Sequence, residues 1–166
     1  IHISTDPSDV SHLLRLLHGV SKRTHLSPHS EHYLKTQAEI LLKRGAGKIY
    51  LGYYQDKVIA TSLLFDDGHT VYYAHAAADD SQRKLHAGTA LLGQAILDAK
   101  NDGRHSFDLF GIAPENEPDH PWNGFTKFKQ SFGGQPVTYC GSWDYPVRPL
   151  SYKLYRFYHK IRKILR

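Results

Sequence analysis

The chain has 166 residues, 40% of them apolar, and a net charge of +5, which suits one domain with a single core and rarely two. The positive charge favours a polyanionic partner such as RNA, a phosphorylated substrate or an anionic lipid, although a basic protein without such a partner has the same composition. A single cysteine, Cys140, excludes an internal disulfide framework and fits the cytoplasm, and no apolar run is long enough for a membrane span or a secretory signal.

The first half of the chain predicts a strand, two helices and a three-stranded meander. Each helix begins with a capping residue and a proline, at Asp6-Pro7 and at Ser27-Pro28, and Gly45 ends the second. Apolar residues recur at helical spacing between these signals. The expected elements are a strand over 1–5, helices over 6–23 and 27–45, and strands over 48–55, 57–66 and 69–78, joined by tight turns at 55–56 and 67–68.

The second half predicts a long helix, a buried strand and a more polar end. The expected elements are a helix over 81–103, a strand over 106–112, a proline-rich loop over 113–124, a helix over 125–134, a strand over 135–145 and a basic helix over 149–166. A meander followed by a helix and a parallel return strand indicates an α+β domain with a mixed, mostly antiparallel sheet flanked by helices. This order resembles the fold of the GCN5-related N-acetyltransferase (GNAT) superfamily, as a single domain over residues 1–166.

The GNAT resemblance implies a coenzyme A pyrophosphate loop at the start of the helix after the meander. Glycines there let backbone N–H groups approach the phosphates. Gln82 and Arg83 are present, but Leu85 and His86 stand where the close-approach glycine is expected. Gly88 follows about a turn inside the predicted helix, where it suits helix packing. We therefore expect no tight binding of coenzyme A.

A more specific resemblance comes from three passages. "AKNDGRHSFDLFGI" at 99–112, "GFTKFKQSFGG" at 124–134 and "TYCGSWDYPV" at 138–147 resemble the second domain of the FemABX family of peptidoglycan bridge-forming aminoacyltransferases. Such enzymes contain two GNAT-like domains in tandem. The chain has no methionine, even at position 1, so we expect it to be part of a longer polypeptide that includes a first GNAT-like domain.

The resemblance implies transfer of an amino acid from the 3′ ester of an aminoacyl-tRNA to an amine on the stem peptide of a peptidoglycan precursor. That precursor is a lipid-linked or UDP-linked muropeptide. No metal and no coenzyme A is implied, so the expected cofactor is none. The enzyme would work in the cytoplasm, with peripheral contact at the inner face of the membrane where the acceptor is lipid-linked.

Lys129 is the candidate catalytic residue. In the family, the lysine of the "F-K-x-x-F-G" motif stabilises negative charge, and it corresponds to Lys129 in "FKQSFG". Lys127 and Lys129 are two positions apart on a helix and therefore point in nearly opposite directions. We expect Lys129 to face the cleft and Lys127 to face solvent. From spacing alone, an ordinary surface lysine remains the alternative.

Further substrate-binding candidates follow from the same resemblance. Tyr33 and Tyr73 match tyrosines that line the family's substrate channel, although half-buried core tyrosines fit equally well. His29 stands where the family often has an arginine, and a histidine pairs with phosphate only when protonated. Arg83 is the candidate cation of the phosphate loop. Strand alternation places the side chain of Asp108 on the opposite face from those of Phe107 and Leu109. It would orient an amine or pair with the catalytic lysine, or it would instead tether a loop.

The predicted last helix is strongly basic. It either packs with its other face solvated or follows the phosphates of tRNA or of an anionic membrane. Its basic residues are Lys153, Arg156, Lys160, Arg162, Lys163 and Arg166. Two other functions stay open: a stand-alone coenzyme A-dependent N-acyltransferase, and a non-catalytic RNA- or membrane-binding module. The scattered histidines show no metal-binding spacing.

Overall fold

The computed structural model describes residues 1–24 and 29–164. Two 3-10 turns, Pro7–Asp9 and Asp80–Leu85, precede α1 and α3. The remaining elements are β1 His2–Ser4, α1 Val10–Thr24, α2 Glu31–Lys43, β2 Gly47–Tyr54, β3 Lys57–Asp66, β4 Thr70–Ala78, α3 Ala87–Asn101, β5 Ser106–Asp108, α4 Asn123–Gln130 and α5 Pro149–Ile164. The predicted α+β class and the predicted meander are confirmed.

The five strands form one mixed sheet in the order β1-β2-β3-β4-β5. All neighbours are antiparallel except β4 and β5, which run parallel. Gln55 and Asp56 both have positive φ (46° and 60°), the backbone that a two-residue hairpin turn with native twist requires. The register of β3 and β4 shifts between Leu63 and Phe65, so β4 carries a bulge near its middle.

The core has two halves, one on each face of the sheet. Leu63 and Leu64 are neighbours on β3 and therefore point to opposite faces. Leu63 packs with residues of α1 and α2, such as Leu13 and Ala38. Leu64 packs with Leu91 and other residues of α3. Helices thus cover both faces of the sheet.

The chain divides into two compact units, Ile1–Lys129 and Gln130–Arg166. The first unit contains the whole sheet and the helices α1 to α4. The second contains α5 and an irregular segment before it.

The predicted strand over 135–145 is wrong. Its alternation is clear, with Val137, Tyr139, Trp143 and Tyr145 at odd positions, yet these side chains are exposed and no strand forms there. A strand needs a neighbour for its N–H and C=O groups. In the part of the chain that the structure describes, nothing pairs with this segment.

Other boundaries differ for local reasons. The helix predicted over 27–45 begins at Glu31, where Ser30 accepts the N–H of Tyr33 in the usual N-cap manner, whereas Ser27 and Pro28 lie outside the described residues. The strand predicted over 106–112 ends at Asp108, because Phe110 has a positive φ of 61° that strand geometry excludes.

Candidate active site

A cleft of about 530 Å³ lies in the first unit, at the edge of β4. The strand β5 pairs with β4 only over residues 70–72, so within the described chain no strand covers residues 73–78 on that side. The end of α1, the start of α3 and the helix α4 contribute the other walls. The early end of the β4–β5 pairing therefore creates the cleft.

Three cationic side chains and the two carboxylates of Asp79 and Asp80 line the cleft. Arg23 from α1, Arg83 from the turn before α3 and Lys129 from α4 all line it. The guanidinium of Arg23 lies 3.6 Å from the carboxylate of Asp80, in an exposed ion pair. Three elements distant in sequence thus bring positive charge to one concavity, an arrangement that suits an anionic ligand.

Lys129 is held at the cleft by the way α4 packs. Thr126 is the buried residue of α4. Its hydroxyl accepts the N–H of Ala113 at 2.8 Å and donates to the carbonyl of Trp122 at 3.0 Å. Lys129 is three positions later and shares that inward face, whereas Lys127 is exposed. The predicted orientation of the two lysines is therefore what the structure shows.

The ammonium of Lys129 is half-buried, and it donates a hydrogen bond of 2.7 Å to the carbonyl oxygen of Gly111. Burial lowers the pKa of Lys129 below its usual 10.5, and the charge of Asp108 opposes that shift. A lysine with a lowered pKa in a cleft is a recognised feature of functional sites.

The start of α3 differs from the prediction in a way that matters for the site. His86 adopts a left-handed conformation with φ of 50° and ends the preceding 3-10 turn, so α3 begins at Ala87. Gly88 is therefore in the first turn of α3, and the expectation that it lies a turn inside the helix is wrong. A Cβ added at Gly88 would meet only the Cβ of Ala78, at 4.0 Å. The first N–H groups of a helix have no partner within it, and the first residues of α3, Ala87 and Gly88, line the cleft.

Tyr73 is the one of the two candidate tyrosines that lines the cleft. Burial raises the pKa of its phenol above the ordinary value, so the group is neutral and offers a hydrogen-bond donor. Its ring packs on the α3 side of the sheet, beside Phe107 and Ala87.

Three predicted residues are not among those that line the cleft. Tyr33 is exposed on α2, where its hydroxyl accepts from the amide of Gln37 at 3.3 Å. His29 packs on the ring of Tyr33. Asp108 accepts the N–H of Phe110 at 2.6 Å, which is the loop-tethering role considered from the sequence, and its charge also favours the ammonium of Lys129.

Sequence reasoning missed Thr61 of β3. Its side chain is almost fully buried, lines the cleft, and has no hydrogen-bond partner within the described structure. A signal was available, because the hydroxyl interrupts the apolar run "VIATSLLF" of the predicted central strand.

Two features are absent from the described residues. No group of three or more His, Cys, Asp or Glu side chains is placed to hold a metal ion. No helix there combines the length and the apolar character needed to cross a membrane.

Comparison with solved structures shows the GNAT acetyltransferase fold. A predicted acetyltransferase from Clostridium acetobutylicum, solved with acetyl-CoA, matches with a TM-score of 0.66 and 14% identity over 86% of this chain and 94% of that one. A possible acetyltransferase from Clostridium difficile 630 has a TM-score of 0.64 and 15% identity over 88% and 97%. The ribosomal-protein-alanine N-acetyltransferase of Brucella melitensis biovar Abortus 2308 has a TM-score of 0.57 and 13% identity over 87% and 96%.

Comparison with protein families gives a match to the FemAB family over residues 45–160. That range includes β2 to α4, the 3-10 turn Asp80–Leu85 before α3 and the "FKQSFG" motif with Lys129. No curated protein matches the chain.

Proposed function

The chain belongs to the FemAB family, and from this premise we propose that it transfers an amino acid from aminoacyl-tRNA to the stem-peptide amine of a peptidoglycan precursor. The family and the acetyltransferase fold both support an N-acyltransferase. The aminoacyl donor and the lipid-linked or UDP-linked muropeptide acceptor are the part of the proposal that goes beyond N-acyltransferase activity.

The position of the Lys129 ammonium carries the proposal. When the acceptor amine attacks the ester carbonyl, a nitrogen–carbon bond forms and negative charge develops on the carbonyl oxygen. The ester carbon–oxygen bond then breaks, and the proton lost by the amine passes to the departing 3′ oxygen. An ammonium held by Gly111 at 2.7 Å has two further N–H groups to offer to that developing charge.

The other cleft residues would hold the donor. The phosphates at the 3′ end of tRNA would meet Arg83, Arg23 and the N-terminus of α3. The neutral phenol of Tyr73 would donate to the acceptor or to the terminal adenosine. We retain Tyr33, His29 and Asp108 as residues that would contact the acceptor or position Lys129, and a further GNAT-like domain as the part that would complete the precursor-binding groove.

A coenzyme A-dependent N-acyltransferase is the second candidate, and one observation favours it. Gly88 lies in the first turn of α3 with open space in front of it, after Gln82 and Arg83. These residues fit a pyrophosphate, so Arg83 and the backbone N–H groups of Ala87 and Gly88 would hold coenzyme A. When bound, the cofactor would supply an activated thioester, and Lys129 would face the same cleft.

The deciding experiment compares the two donors. The full chain is incubated with UDP-linked muramyl pentapeptide and either charged tRNA or acetyl-CoA, and the acceptor is analysed by mass spectrometry. A mass gain of one aminoacyl residue with tRNA alone supports the proposal. An acetylated acceptor, or an unmodified acceptor together with a rise in melting temperature on adding acetyl-CoA alone, contradicts it in favour of the second candidate.

A further inference from the structure

The positive charge of this protein is concentrated in the segment that contains α5. Residues 145–166 hold seven of the 21 lysines and arginines and none of the 16 acidic residues. The other 14 basic residues share residues 1–144 with all 16 carboxylates, so that longer part of the chain is close to neutral. The net charge of +5 therefore originates in one short segment, which is the part of the chain that a polyanionic partner would meet.

One side of α5 is apolar and exposed. Its apolar residues recur four, three and four positions apart, which is the spacing of side chains that share one face of a helix. This α5 stripe consists of Leu150, Leu154, Phe157 and Ile161, with 75%, 65%, 64% and 40% of their areas accessible. An apolar stripe in contact with water is unfavourable, and a contiguous exposed patch of this kind marks a surface that meets a partner.

Cations border the α5 stripe. Helical geometry places Lys153 and Lys160 along one edge of the stripe and Arg162 along the other. Arg156 lies on the far side of the helix, where its guanidinium is 5.9 Å from the centre of the Tyr152 ring. All four cations are exposed, and the sequence of α5 contains no acidic residue to neutralise them.

These two features together select the kind of partner. An RNA would pair with the cations but would leave the α5 stripe in water. A neutral apolar surface would cover the stripe but would leave the cations unpaired. The interface of an anionic bilayer accommodates both, because apolar side chains enter the boundary of the acyl chains while lysines and arginines stay among the phosphates.

We propose that α5 is a membrane-docking helix, which lies in the plane of an anionic lipid surface with the α5 stripe facing the acyl chains. Its three tyrosines, Tyr152, Tyr155 and Tyr158, suit the same boundary, where tyrosine is enriched. The inference goes beyond the proposed transfer reaction and applies equally to either candidate donor.

The test measures binding of the full chain to lipid vesicles by flotation in a density gradient. One set of vesicles contains phosphatidylcholine alone, and the other contains phosphatidylcholine and phosphatidylglycerol in equal parts. We expect the affinity for the anionic vesicles to be at least about tenfold higher and to fall as the salt concentration rises.

Two aromatic residues of α5 give a matched pair of variants. Phe157 belongs to the α5 stripe, whereas Tyr155 lies outside it and contacts the ring of His159, and their exposed fractions are similar, 64% and 57%. Phe157→Ser should lower the affinity for anionic vesicles by about tenfold or more, and Tyr155→Ser should stay within about twofold of the wild type. Melting temperatures show that both variants keep the fold.

A third variant tests the cations. The double variant Lys153→Gln with Lys160→Gln keeps the α5 stripe and removes two of the charges that border it. Its affinity for anionic vesicles should fall, and that affinity should depend less on the salt concentration than in the wild type.

The outcomes are distinct. Membrane docking is overturned if the wild type fails to bind anionic vesicles, if it binds both kinds of vesicle equally, or if Phe157→Ser binds as the wild type does. If the wild type binds uncharged tRNA in place of vesicles and the double lysine variant loses that binding, α5 is a surface for RNA phosphates and the inference is wrong. Because no donor or acceptor enters the vesicle assay, its failure leaves the proposed transfer standing, and a failed transfer assay leaves the docking helix standing.

Discussion

The ammonium of Lys129 donates to the carbonyl oxygen of Gly111 across 2.7 Å, joining α4 to the loop after β5. Gly111 and Lys129 belong to two of the three passages that carry the family resemblance, 99–112 and 124–134. The hydrogen bond joins these two passages in space, because one supplies the cation and the other holds it at the cleft.

Removing this cation should impair catalysis much more than binding. In Lys129→Met the aliphatic stem is kept and the charge is lost, so we expect the turnover rate to fall by about 10²- to 10³-fold with a small change in KM. The matched control is Lys127→Met, two residues away and exposed, which should stay within about twofold of the wild type. Initial rates of transfer measure both. Similar losses of turnover rate in the two variants would show that the loss comes from the lower net charge of the protein and not from the position of Lys129.

The pH dependence of transfer should report the ionisation of Lys129. Burial lowers its pKa below 10.5, and only the protonated form can stabilise the oxyanion. Activity should therefore be retained below the lowered pKa and lost as pH rises through it, at a pH below 10.5. Lys129→Arg keeps its charge at all accessible pH values, so whatever activity it retains should lack this alkaline loss. Rates corrected for spontaneous ester hydrolysis test the prediction, and the same alkaline limb in the Arg variant would assign it elsewhere.

Gly88 provides a test of the anion site at the start of α3. Gly88→Glu places a carboxylate near the first N–H groups of the helix, where negative charge is favourable for folding. We expect its stability to be maintained and its affinity for aminoacyl-tRNA to fall at least about tenfold. Gly93→Glu on the same helix, also in open space, is the control and should bind normally. Equal affinities for the two variants would mean that phosphates bind elsewhere.

The α3 face of the core should be sensitive to cavity formation. Leu91 is 1% exposed and Leu97, on the same helix, is 56% exposed. Leu91→Ala should lower the free energy of unfolding by about 2–5 kcal/mol, and Leu97→Ala should change it by about 0.5 kcal/mol at most. Urea denaturation followed by circular dichroism measures both. A small loss for Leu91→Ala would mean that the helix readily closes the space.

His75 should make the fold less stable in mild acid. Burial, assisted by the nearby ring of His29, lowers the pKa of His75 from 6.5 to about 4. The unfolded chain therefore takes up a proton as pH falls through 6.5, whereas the folded chain does so only near 4, and the free energy of unfolding falls across that interval. His75→Gln should remove this contribution to the pH dependence of the free energy of unfolding. His69→Gln, at an exposed position, should leave that pH dependence unchanged. Denaturation curves at several pH values measure the free energy of unfolding. An unchanged pH dependence in His75→Gln would contradict the assignment of the acid destabilisation to His75.

Much of the first unit follows from local sequence signals. The hairpin at Gln55 and Asp56 and the orientation of Lys129 were both predicted and are both present. The start of α3 at Ala87 was not predicted. Apolar periodicity continues through residues 81–103 and gives no sign that the backbone of His86 adopts a left-handed conformation. The strand predicted over 135–145 is absent for a different reason. Alternating apolar residues show which side chains would share one face of a strand, but a strand forms only where a neighbouring strand pairs with its backbone.

The family motif identified Lys129 from the sequence, whereas other residues of the cleft became apparent only from the three-dimensional packing. Tyr33 and Tyr73 were equivalent in the sequence, and only the bulged edge of β4 brings Tyr73 to the cleft.

The exposed aromatic side chains also determine how this protein appears to a spectroscopist. Both of its tryptophans lie at the surface, Trp122 with 42% and Trp143 with 86% of its area accessible. We expect Trp143 to emit like indole in water both before and after the core melts, whereas the emission of Trp122, which is more than half covered, should shift to the red on unfolding. A blue shift would instead signal that something has covered Trp143, which makes the indole a built-in reporter of docking.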